Sequence, residues 1–143
     1  MFNLVKLPGL SIISIYFNSI TIMSNTSLNL KLDSRPFEKS AVLTIADTIE
    51  YMSNGAFIKS ILSKPTGNIS VMSFHIGEGL REKTSPYDSF VQIIEGQVEF
   101  VIDAISFFLK AGDGIIVPAH TASFTKPNCR FKMILTVIKS GYE

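Results

Sequence analysis

The sequence predicts a single all-β domain, a jelly roll or closed barrel of short strands behind an N-terminal extension. Three observations carry this expectation. Beyond Asn54-Gly55 the chain breaks into short apolar runs separated by turn signals, spaced about 8–12 residues apart, as in sandwiches and barrels. Nothing in that part sustains the helical period of about 3.6 residues. The last run, Phe131 to Ile138 (FKMILTVI), is apolar at nearly every position, so both of its faces need cover, which a closed architecture supplies while protecting strand edges.

The elements follow in order. Residues 1–24 stand apart: Lys6 precedes an apolar stretch, Leu10 to Met23, interrupted by Ser11, Ser14, Asn18, Ser19 and Thr21. Three readings are open: a segment upstream of a functional start at Met23, a signal-like leader with a poor cleavage site, or an added strand rich in isoleucine. Pro8, Gly9 and the scattered polar residues argue against a spanning helix. Residues 25–55 form an arm, polar and turn-rich up to Ser40, with a short strand or one helical turn near Ile45 to Ile49. Residues 56–143 form the barrel domain, with runs Ala56–Leu62, Ile69–Ile76, Ser89–Ile94, Gln97–Ile102, Ile105–Leu109, Gly114–Val117 and Cys129–Ile138. Glu95-Gly96 separates two of them as a turn. Asp103-Ala104 separates two more, and because alanine at positive φ costs on the order of 1 kcal/mol, a loop looser than a two-residue hairpin is expected there.

Composition limits the function. The length of 143 residues suits one domain, and a chain 46% hydrophobic and 17% charged is not disordered. Thirteen basic and twelve acidic residues leave a net charge of +1 with no basic stripe, so nucleic acid is not an expected partner. A membrane role is confined to the N-terminal segment. Cys129 is the only cysteine, which rules out an intrachain disulfide and suits a reducing cytoplasm.

Two segments carry a family resemblance. Gly79 to Gly96, GLREKTSPYDSFVQIIEG, resembles the first cupin motif, G-x5-H-x-H-x3/4-E-x6-G, and Gly112 to Pro127, GDGIIVPAHTASFTKP, resembles the second, G-x5-P-x-G-x2-H-x3-N. The pieces KTSPYD, IIEG, LKAGD, VPAHTAS and FKMILTVI are also similar, in order and register, to those of small single-domain cupins. The resemblance covers Phe57 to Lys139 and implies a cupin-type double-stranded β-helix, RmlC-like in architecture. It also implies pairing into a homodimer through the outer sheet. The family holds a divalent transition metal at four motif positions. In this register those positions are Lys83, Ser85, Ser89 and Ser123, and an ammonium with three hydroxyls is a poor substitute for imidazole and carboxylate. The resemblance therefore implies a barrel without the family's cofactor.

Strand alternation puts Lys83 and Ser85 on one face, the barrel interior in the family, with Val91 and Ile93 in the same parity. Together with Ser89, Ser123, Met133, Leu135 and His120 they make the expected wall of a mainly apolar pocket for a small molecule, anions included. Three roles are open to Lys83: reaching solvent at the barrel mouth, binding an anion, or attacking a carbonyl. No adjacent base activates a serine nucleophile. His75 and His120 are the only histidines, and a metal-dependent enzyme, such as a dioxygenase or isomerase, would need a relocated site built on them. A third class is a structural barrel filled by Phe100, Met133 and Leu135.

Overall fold

The computed structural model describes residues 30–139, together with the backbone of three strands before them, β1 (Leu4–Lys6), β2 (Ile12–Ile15) and β3 (Ile20–Met23). Strands are the dominant regular element of the described chain. After β4 (Leu30–Asp33) comes a 3-10 turn, Ile45–Thr48, so the helical alternative holds in the arm. Then follow β5 (Ala56–Lys64), β6 (Gly67–Phe74), the two-residue strands β7 (Gly79–Leu80) and β8 (Lys83–Thr84), and the long β9 (Asp88–Ile102). The chain closes with β10 (Ile105–Lys110), β11 (Gly114–Val117), β12 (Ala122–Lys126) and β13 (Phe131–Ile138).

β9 organises the molecule. Its first half pairs with β13 and β11, and its second half with β10 and β12. One layer therefore runs β4-β5-β6-β13-β9-β11, and the opposing layer is built on the far half of β9 with β10, β12 and β8. The expected turn at Glu95-Gly96 is instead a bend inside one continuous strand. Gly96 takes φ of +76°, a conformation that other residues resist, and just beside it the β13 register shifts between Lys132, opposite Glu95, and Met133, opposite Ile93. A Cβ at Gly96 would strike the Arg130 carbonyl oxygen, so the close crossing of these strands requires glycine.

The Asp103-Ala104 expectation is corrected. Ile102 pairs directly with Ile105 across a two-residue hairpin, and both turn residues take positive φ, 50° and 63°. The six-pair ladder between β9 and β10 holds the strained turn in the mirror-image geometry that twisted strands need.

Inward-facing side chains of both layers fill one core, with Phe74 and Phe131 stacked at 4.9 Å at its centre. The outer face of the first layer is covered in part by the arm. Ile45, Ile49 and Met52 lie with Phe57, Val71, Ile94 and Ile134 in a second cluster. A polar knot fastens that arm. Lys132, on the outer face of β13, donates to the Ala46 carbonyl at 2.7 Å and lies 3.3 Å from the Glu95 carboxylate. The Tyr51 phenol hydrogen-bonds to Glu95. Burial and that bond push its ionisation well above the usual range, while Tyr51 and then Lys132 lower the Glu95 pKa. β13 thus has both faces covered for most of its length, as its sequence requires. On the other side, β3 joins β7 with Ile22 opposite Leu80 and Met23 opposite Gly79. The side chains of residues 1–29, and with them the leader and upstream-start readings, lie outside the described residues.

Candidate functional site

The segment that approaches the barrel from β7 is an alternating ribbon. From Arg81 to Val91 every odd-numbered residue is buried or half-buried and every even-numbered one is exposed. The period of two is that of an extended strand with one wet face, and it turns Arg81, Lys83, Ser85, Ser89 and Val91 inward. These five line a cavity of about 60 Å³ between the layers. Val117 of β11 and Leu135 and Val137 of β13 form one wall. Phe100 from the far half of β9, with Ser123 of β12 and the nearby Thr121, forms the other. Leu80 lies at the side where β7 enters. Backbone pairing fixes the arrangement: Ser89 is opposite both Val117 and Val137, Val91 is opposite Leu135, and Ser123 is opposite Lys83.

Of the residues expected to form the pocket, Lys83, Ser85, Ser89, Val91, Ser123 and Leu135 meet around this cavity. Three others do not. Ile93 and Met133 oppose each other one inward rung beyond Val91 and Leu135, and at 1% and 0% exposure they are solid core. His120 is exposed, because φ of +62° turns it out of the strand path, and its N–H donates to the Ser85 carbonyl at 2.7 Å. His75 follows β6 at the turn closed by the Glu78 N–H on the His75 carbonyl and does not line the cavity. Sequence reasoning passed over Arg81 and Thr121. The parity that singles out Lys83 applies equally to Arg81, two residues earlier, but Arg81 is not one of the motif positions.

The cavity's polar groups are two cations and four hydroxyls, against an apolar background. No imidazole, carboxylate or thiolate lines it, and among the described residues no three His, Cys, Asp or Glu side chains group closely enough to hold a metal ion. The donor set around the cavity does not fit a divalent transition metal, which takes imidazole, thiolate or carboxylate ligands. Lys83 has no ion pair among the described residues, and burial pushes its ammonium toward the neutral amine. Arg81 likewise has no acidic partner there. The Ser85 hydroxyl accepts from the Tyr87 N–H at 3.2 Å and Thr121 bonds locally to the Ala119 carbonyl, whereas Ser89 and Ser123 keep hydroxyls free of partners among the described residues.

No family model and no curated protein sequence matches this chain. Solved structures do. A conserved protein of unknown function from Streptococcus pyogenes superposes at a TM-score of 0.68 with 24% identity, over 72% of this chain and 90% of that one. A cupin superfamily protein from Desulfitobacterium hafniense reaches 0.67 with 26% identity over 71% and 93%. A cupin 2 conserved barrel domain protein from Leptotrichia buccalis reaches 0.65 with 28% identity over 68% of this chain and 47% of its own. No helix among the described residues is long and apolar enough to cross a membrane. The curled two-layer sheet, the motif register and these neighbours agree: the barrel is a cupin-type domain.

Proposed function

We propose that this domain binds a small carboxylate in its barrel without the help of a metal. One observation carries the reading: Arg81 and Lys83 both face a largely apolar cavity in which nothing described neutralises either of them. A half-buried charge without a partner is partly stripped of water, so a site of this kind gains from an anion that completes it. Arginine offers a planar fork to a carboxylate and lysine a point charge, and the free hydroxyls of Ser89 and Ser123 can orient the ligand. The cavity is far smaller than drug-sized pockets of about 300–1,000 Å³, which restricts the ligand to a handful of heavy atoms.

That size also sets the affinity. At a ceiling of about −1.5 kcal/mol per heavy atom, acetate binds no tighter than tens of micromolar. Titration of isotope-labelled protein with acetate, followed by amide shifts, tests the reading. Shifts are expected at residues 81–91 and 121–123, with Lys83→Met or Arg81→Gln weakening binding about 10- to 100-fold, the loss of one charge-assisted hydrogen bond. An absence of shifts up to about 100 mM acetate, a concentration at which even a 1 mM complex would saturate, refutes it. The small cavity also supports a second reading, a structural barrel filled by its own side chains, and that result would favour it. A metal-dependent reaction finds no support in this donor set.

We further propose that a second copy covers the open half of the first layer's outer face. The arm covers the other half. In the open part Ile116 lies opposite Phe90 on neighbouring strands, and both are exposed together with Ile138.

A further inference from the structure

We propose that Lys83 is a reactive amine that condenses reversibly with a small 2-oxo acid, whose carboxylate is held by Arg81. This rests on the anion-binding reading and adds a covalent step to it. Arg81 and Lys83 leave the same face of the ribbon one inward position apart and share one cavity. A ligand that satisfies both without wasting either cation carries a carboxylate for the guanidinium and a second acceptor near Nζ. In a 2-oxo acid that acceptor is the adjacent carbonyl.

The surroundings suit the step. No carboxylate among the described residues pairs with Lys83, and its burial favours the neutral, nucleophilic form. Nζ attacks the carbonyl carbon, forming a C–N bond as the carbonyl π pair moves to oxygen. A proton passes from nitrogen to that oxygen to give a carbinolamine, for which the Ser89 and Ser123 hydroxyls are available as hydrogen-bond partners. The oxygen then leaves as water after taking up a second proton from solvent, the nitrogen lone pair closes the C=N bond of an iminium, and loss of its N–H proton to solvent gives the neutral imine. No electron donor or acceptor is consumed, and water reverses the step. Val91, Phe100 and Leu135 supply an apolar wall for a short alkyl group and limit the ligand to roughly the size of pyruvate.

The test is reductive trapping. The full chain is incubated with pyruvate and cyanoborohydride, which fixes an imine as a stable secondary amine, and then digested and mapped by mass spectrometry. The expected result is one carboxyethyl group on Lys83, at least tenfold above any other lysine. It should be suppressed by excess acetate and absent from Lys83→Arg, a variant that keeps charge and bulk should methionine fail to fold. Arg81→Gln should lower labelling by pyruvate about tenfold while leaving labelling by acetaldehyde, which lacks a carboxylate, within twofold. A merely structural role for Arg81 would move both. Uniform labelling of all lysines, or none at Lys83, overturns the proposal. If acetate still shifts the cavity amides in that case, the anion site stands and only the covalent step falls; if it does not, both fall.

Discussion

Lys83 falls where the motif resemblance implies a metal-binding histidine, and a lysine there changes what the barrel must contend with. Partial burial disfavours the ammonium in the folded state and so lowers its pKa below that of the unfolded chain. The unfolded state therefore binds more protons in the window between the folded value and the ordinary lysine value, and stability rises with pH across it. Urea denaturation at neutral pH and at about pH 9.5 should show wild type gaining stability relative to Lys83→Met, a comparison in which tyrosine ionisation, common to both proteins, cancels. An unchanged difference between the two proteins would mean that the amine is solvated. The motif register and the period of two made Lys83, Ser85, Ser89 and Ser123 legible in the sequence. His120 was misplaced because its position beside the second motif says nothing of a positive φ, and Ile93 and Met133 because parity gives the face of a strand but not how deep the cavity runs.

At the scale of elements, two turn signals were read the wrong way round. Glu95-Gly96 looks like punctuation between two strands but is a bend inside one. Asp103-Ala104 lacks the usual glycine but is a tight hairpin. In both cases the surrounding ladders decide the backbone, and a short sequence window cannot contain a partner strand tens of residues away. The consequences differ in sign. Ala104→Gly relieves a left-handed alanine and should stabilise the protein by about 1 kcal/mol. Gly96→Ala adds both backbone strain and a collision with the Arg130 carbonyl, and should cost more than about 2 kcal/mol. Denaturant midpoints check both, and a stabilising Gly96→Ala would show that the bend is not needed. The short strands β7 and β8 and the strand β12 were not delimited in the sequence. Two residues carry no period, and in Ala122–Lys126 polar positions stand where apolar ones would mark a strand.

For the whole molecule, the barrel was predictable because its signal is distributed over many runs and turns, whereas the proposed pairing rests on one patch. If a second copy sits on Phe90, Ile116 and Ile138, wild type should sediment as a dimer at about 10 μM, a concentration at which interfaces of standard size are populated. The pair Phe90→Ser and Ile116→Lys should yield a monomer with the same far-ultraviolet spectrum. A monomeric wild type would leave that face bare and refute the dimer.

The bend at Gly96 also bears on how the chain reaches this shape. Beyond the bend, β9 pairs with β10 across two residues, among the least costly closures a chain can make. Before the bend, the same strand pairs residues as distant as Asp88 and Ile138. Non-local pairing is the slow part of β-sheet folding. One strand thus joins a two-residue hairpin to pairings across tens of residues, and the cavity, lined by residues on both sides of Gly96, is complete only when both have formed.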